Sequence, residues 1–162
     1  MTVALAERPH HDYPATDLGV PVGTPTFAMV DGTVTTATSG VGVYPGSGGR
    51  CGNTVIIEGV DTVRYTYCHL SAVTVTTGES VAAGQQVGLT GGQPGAPGAG
   101  NTTGPHLHLS MRGSGRTLCP QPLMLSILLG SPINPLAAPS SGCISGQPNT
   151  NWAAWLDQRI TQ

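Results

Sequence analysis

Lysine is missing from this 162-residue chain, and its six basic residues are arginines scattered from Arg8 to Arg159. No basic stripe exists to follow a phosphate backbone, which excludes nucleic acid as a partner. Charged residues make up 9% of the chain, the formal net charge is −2, and aromatic residues account for 4%. Long hydrophobic runs are also lacking: the longest, within Leu123–Leu129, is broken by Ser126. No segment is therefore expected to span a membrane. The opening "MTVALAERPHHDY" has too short an apolar stretch for a signal-peptide core and no basic region before it, so no export signal is visible. The four cysteines show no Cys-x-x-Cys spacing, which argues against a structural zinc module closed by cysteines.

What is abundant is punctuation. Twenty-four glycines and fourteen prolines separate short segments rich in Val, Thr and Ile, the pattern of an all-β domain. The segments Thr26–Val30 and Thr33–Thr38 flank Asp31-Gly32, which predicts a tight hairpin. Further strands are expected at Asn53–Glu58 and Asp61–Tyr67 around a Gly59-Val60 turn, then at Val73–Thr76, Ser80–Ala83, Gln86–Thr90 and His106–Arg112. After Arg112 the composition changes. "CPQPLMLSILLG" opens with prolines and closes with glycine, and "NTNWAAWLDQRI" offers an Asn or Thr cap before an apolar face, so two short helices are expected to pack on the sheet. The expected organisation is a β domain over residues 1–118 and a disulfide-tied helical appendage over 119–162.

Spacing alone allows three pairings of Cys51, Cys68, Cys119 and Cys143. A two-residue turn at Gly59-Val60 sets Cys51 opposite Cys68 on a non-hydrogen-bonded rung, where a disulfide fits. That leaves Cys119 with Cys143. Two disulfides imply an oxidising compartment, and an extracellular protein is expected: an exported domain or a phage product.

Five histidines make up the whole set: His10, His11, His69, His106 and His108. In "GPHLHLS" the two imidazoles stand one residue apart, so a regular strand projects both to one face and turns Leu107 and Leu109 the other way. Zinc accepts neutral imidazole and carboxylate, and a catalytic site uses three protein ligands with the fourth position open. Asp17, close to His10 and His11, offers the oxygen ligand. An H-x-H pair alone is more commonly a satisfied pair of histidines than a metal site; the weight here comes from the company it keeps.

His11 and Asp17, Gly23-Thr24-Pro25, Tyr67-Cys68-His69-Leu70 and Gly104-Pro105-His106-Leu107-His108 together resemble, in order, the motifs of the lysostaphin-type (LytM-like) zinc metallopeptidases, which are peptidoglycan endopeptidases. The resemblance extends from about His10 to Arg112 and includes "TTGESVAAGQQVGLTGG". It implies an antiparallel two-sheet fold, here with short C-terminal helices, and a zinc ion held by the N-terminal His, Asp17 and His108. It further implies that His69 and His106 assist catalysis, that peptidoglycan peptides are the substrate, and that the protein is cell-wall associated; a monomer is expected. The gap from His11 to Asp17 exceeds the family's usual three residues, and His10 stands beside it as the other candidate; His11 is the preferred ligand and His10 the neighbour. Ser110 replaces the acidic or amide residue common after the last motif, which reduces the support expected around the ligand.

Tyr65 and Tyr67 share a strand face with His69 and either line the cleft or pack in the core. The glycine-rich "GGQPGAPGAGNTTG" lacks a phosphate-loop lysine and reads as a mobile cleft wall. The hairpin "TTGESVAAGQQVG" is also similar to lipoyl and biotinyl carriers, but the missing lysine removes that reading. The alternative function is a catalytically inactive cell-wall-binding or amidase-activating relative of the same fold.

Overall fold

A computed structural model describes residues 1–40, 49–146 and 150–160. The chain forms two compact units, Gly19–His108 and Met1–Leu18 together with Leu109–Gln162. The Gly19–His108 unit is built from short antiparallel strands, and the described short helices all belong to the other unit beside its own short strands, a mostly β architecture that the punctuated sequence implies.

In the Gly19–His108 unit, β3 (Gly32–Thr38), β4 (Thr54–Gly59) and β5 (Arg64–Cys68) form an antiparallel meander, with β7 (Ser80–Val81) along the free edge of β3. A second sheet runs in the order β2 (Pro25–Phe27), β8 (Gln86–Thr90), β6 (Leu70–Val73). The alternation of Val34, Val55, Ile57, Tyr65, Tyr67, Leu70 and Val87, all buried, supplies the core of this unit. Burying each such side chain is worth about 1.5–3 kcal/mol.

Two hairpin expectations are corrected. The strands on either side of Asp31-Gly32 do not pair with each other, because β2 pairs β8 in one sheet while β3 pairs β4 and β7 in the other. Gly32 is required for close approach rather than for a turn: a Cβ there would lie 2.5 Å from the Glu58 carbonyl oxygen. The β4–β5 connection is also longer than two residues. The Gly59 N–H donates to the Val63 carbonyl, Thr62 adopts φ 63°, and the Asp61 carboxylate accepts from the Val63 N–H. The register is therefore Val55 with Tyr67 and Glu58 with Arg64.

In that register Cys51 lies beyond the paired residues, yet the Cys51–Cys68 disulfide forms, with Cα atoms 4.8 Å apart. The pairing is as expected and the reason is not. Chain leading into β4 is drawn beside the end of β5 by His69 N–H donating to the Cys51 carbonyl and Leu70 N–H to the Asn53 carbonyl.

The other unit takes up β9 (Leu107–Gly113) from Leu109 onward, and the chain turns back through Ser114-Gly115 into β10 (Arg116–Leu118), pairing Leu118 with Met111. Helix α2 (Gln121–Leu129) follows, its first six residues all buried. It ends at Gly130, whose φ of 67° lets its N–H and that of Ser131 close the last turn. Helix α3 (Trp152–Ile160) is capped by the Asn151 side chain, which accepts from the Ala154 N–H. Leu125, Trp152 and Leu156 pack around the Cys119–Cys143 disulfide, whose Cα atoms are 5.9 Å apart. A single turn, α1 (Val3–Ala6), and a short strand, β1 (Thr16–Leu18), bracket the first histidine pair. Among the described residues no helix is long and apolar enough to cross a membrane.

Candidate metal centre and catalytic histidines

The first histidine pair and Asp17 converge. One ligand atom from each of His10, His11 and Asp17 lies within 4.8 Å of the others. Two imidazoles and a carboxylate in that span form a donor set suited to a divalent transition metal. The two rings stand differently. His10 is 5% exposed, while the His11 side chain is 69% exposed. Tyr13 packs its ring 4.6 Å from that of His10, so the tyrosine-proline turn secures His10.

Lone pairs separate the two further. His10 Nδ1 accepts backbone N–H groups from Asp12 at 3.2 Å and Tyr13 at 3.4 Å. An imidazole whose Nδ1 accepts carries its proton on Nε2, and His10 Nε2 lies 3.8 Å from Asp17 Oδ2. His10 thus turns a polar hydrogen toward the carboxylate. His11 does the reverse: its Nε2 is 3.2 Å from Asp12 Oδ2, and its Nδ1 is 4.0 Å from Asp17 Oδ2. A carboxylate on the far nitrogen is the arrangement that fixes the tautomer of a ligating histidine. Asp12 was not singled out in the sequence, although its place directly after the histidine pair was the available signal.

The remaining three histidines lie in the other unit. His69 follows β5 with φ 63°, a left-handed conformation uncommon outside glycine. Its ring centroid is 4.7 Å from that of His106 and 6.0 Å from that of His108. His69 Nδ1 is 2.7 Å from the Ala99 carbonyl oxygen, and His106 Nδ1 is 2.8 Å from the Gly104 carbonyl oxygen. A carbonyl can only accept, so each Nδ1 carries the proton and each Nε2 keeps its lone pair. His69 and His108 are buried, and His106 is half-buried at the start of the last motif.

The glycine-rich loop is what orients this pair. It is docked rather than free: Gly98 accepts from the Asn53 N–H and Asn101 donates to the Arg50 carbonyl, each at 2.8 Å. Gly98, Ala99 and Gly100 are buried, and a Cβ at Gly52 would strike the Gly98 carbonyl. Thr102 Oγ1 donates toward the Gly92 and Gly104 carbonyls and lies 3.3 Å from His106 Nδ1. Backbone carbonyls leave no trace in side-chain identity, so sequence reasoning had no means of finding Ala99 or Gly104.

Tyr65 and Tyr67 belong to the core. Tyr65 is fully buried and donates to Asp61 Oδ2 at 2.6 Å. Tyr67 is 1% exposed, and its hydroxyl accepts from the Met29 N–H at 3.1 Å. Burial raises the pKa of both phenols well above the ordinary value, for Tyr65 with the Asp61 hydrogen bond acting in the same direction.

The model of Peptidase family M23 matches residues 11–120. The chain is 35% identical over 108 residues to the peptidoglycan DD-endopeptidase ShyA of Vibrio cholerae, covering 67% of this chain and 21% of ShyA. It spans about a fifth of the length of the curated relatives it matches. The catalytic domain of the antimicrobial peptidase lysostaphin from Staphylococcus simulans superposes with TM-score 0.56 at 27% identity, over 74% of this chain and 88% of that one. A zinc-containing peptidase from Vibrio cholerae gives TM-score 0.54 at 25% identity, over 71% of this chain and 38% of that one.

Proposed function

The chain belongs to peptidase family M23, and from that premise we propose that it is a zinc-dependent endopeptidase hydrolysing peptide bonds in the cross-links or bridges of bacterial peptidoglycan. The name of the similar ShyA and the likeness to lysostaphin support the substrate class. A zinc-containing structural relative supports the metal. The two disulfides suit an exported protein.

The ligands proposed are His11, Asp17 and His108, with His69 and His106 as catalytic residues. Zinc in such a site supplies a Lewis acid that makes water a nucleophile at neutral pH. The observation that carries the proposal is the His69–His106 pair, with ring centroids 4.7 Å apart and both Nδ1 atoms committed to backbone carbonyls. An Nε2 lone pair takes the proton of the attacking water, and the resulting imidazolium returns it to the leaving amine. The partner ring takes up a solvent proton at Nε2 and, as the imidazolium, donates to the charge growing on the scissile carbonyl oxygen. The Ala99 and Gly104 carbonyls keep a proton on each Nδ1, so Nε2 is the atom of each ring that gains or gives a proton. An inactive wall-binding relative has no use for two histidines so prepared.

The test is zinc stoichiometry alongside cleavage of purified peptidoglycan of both cross-link types, followed by mass analysis of the fragments. His108→Ala is expected to lose zinc and activity together. His106→Ala and His69→Ala should keep the metal and lose about a hundredfold to ten-thousandfold in turnover. A zinc-loaded wild type that releases no peptide from either substrate leaves the inactive relative as the reading.

A further inference from the structure

Helix α2 begins with a residue that does not match its surroundings. Gln121 is completely buried in a turn otherwise made of Pro122, Leu123 and Met124. Its Nε2 donates to the Arg8 carbonyl at 2.9 Å and to the Ala15 carbonyl at 2.8 Å. Both partners can only accept, so the amide cannot be reversed. Its Oε1 is buried with no hydrogen-bond partner. A buried orphan acceptor is costly, and a methionine of similar shape would avoid it. The position needs the two donors enough to bear that cost.

The acceptors locate the purpose. Arg8 and Ala15 flank the stretch that carries His10, His11 and, two residues on, Asp17. The Arg8 carbonyl also accepts from Thr16 Oγ1 at 2.7 Å, closing the stretch into a loop. A second contact grips its middle: His10 bridges Ile144, and the Ser145 N–H donates to the His10 carbonyl at 2.8 Å. Gln121 stands two residues after Cys119, and Ile144 and Ser145 follow Cys143 directly, so the Cys119–Cys143 disulfide ties both contacts to one covalent anchor. The loop contains Pro9 and Pro14 and little regular structure of its own. Its conformation is imposed from outside.

We propose that Gln121 and Ser145, joined through the Cys119–Cys143 disulfide, are positioning residues that brace the Arg8–Asp17 loop for metal binding. This rests on the reading of His11 and Asp17 as ligands. The C-terminal segment then forms part of the metal site without contributing a ligand. Partners that orient ligating residues typically govern metal affinity by ten- to a hundredfold.

The experiment compares wild type with Gln121→Met, which keeps shape and removes both donors, and with Ser145→Pro, which removes the second contact elsewhere in the chain. Zinc dissociation constants come from competition with a chromophoric chelator. Hydrogen exchange of the Arg8–Asp17 amides is read on the metal-free chains. Both variants are expected to bind zinc about ten- to a hundredfold more weakly and to exchange those amides faster, while the β4 and β5 amides keep wild-type protection. Wild-type affinity and loop protection in folded Gln121→Met would overturn the proposal. A wild type that takes up no zinc overturns the ligand set instead, and exchange then decides the brace alone: faster loop exchange in both variants upholds it, and unchanged protection overturns it.

Discussion

At His69 the backbone holds a left-handed conformation that an L-residue bears at a cost of about 1–2 kcal/mol, and its surroundings keep it there. Its N–H donates to the Cys51 carbonyl and its Nδ1 to the Ala99 carbonyl, so backbone and ring are both committed before any substrate arrives. Similar accounting applies to the first pair. His10 spends its Nδ1 lone pair on the Asp12 and Tyr13 amides, and His11 keeps its own directed at Asp17. His11→Ala is therefore expected to lose most of the zinc, while His10→Ala keeps most of it. Asp12→Ala, which frees the far nitrogen of His11, should weaken zinc about ten- to a hundredfold. Metal content after dialysis ranks the three variants, and a metal-free His10→Ala beside a loaded His11→Ala would reverse the assignment. All the histidines were legible as candidates, because few other residues of this chain can ligate or titrate near neutral pH. Their tautomers were not, since these depend on carbonyls at Ala99 and Gly104 and amides at Asp12 and Tyr13, which no side chain encodes.

Among the elements, β5 carries the clearest dependence on pH. Its Tyr65 and Tyr67 hydroxyls are buried, and burial raises both pKa values far above the unfolded value of about 10. Above pH 10 the unfolded chain releases these protons while the folded chain retains them. The stability they contribute is full below pH 10 and falls as pH rises toward the raised values, by about 1.4 kcal/mol per pH unit per tyrosine. Urea unfolding between pH 9 and 11.5 should show this decline, and Tyr65→Phe should make it shallower by one tyrosine's share; an unchanged slope would show that the phenol ionises freely in the fold. Strand positions such as Gln86–Thr90, which matches β8 residue for residue, were readable because alternation and flanking turns agree there. Pairing was less so. Asp31-Gly32 carries the composition of a tight turn, yet Gly32 serves the approach of β3 to Glu58, and glycine looks the same in both roles. The β4–β5 connection misled for a related reason, since Thr62 takes the positive φ that a two-residue turn would have assigned to glycine.

On the scale of the whole molecule, the two disulfides do comparable thermodynamic work in different places. They close loops of similar length, with sequence separations of 17 and 24. In the chain-entropy model each contributes about 3 kcal/mol, or roughly 10 °C in Tm for a chain of this size. Their neighbours differ. Cys68 immediately precedes His69, and the Cys51 carbonyl accepts the His69 N–H. Cys119 and Cys143 sit beside Gln121 and Ile144, which grip the loop carrying His11 and Asp17. The double variant Cys51→Ser/Cys68→Ser should therefore lose turnover while keeping zinc, because the constraint released is the one on an imidazole proposed as catalytic. Cys119→Ser/Cys143→Ser should lose zinc affinity first, and should recover turnover when the metal is supplied in excess. Both variants should melt earlier by similar amounts, so the comparison holds stability nearly constant and lets position alone speak. Zinc titration, turnover at saturating zinc and thermal melting of the two variants check this. Loss of zinc and turnover in the same proportion in both would mean that the disulfides act only through global stability, and the separate assignments would fall.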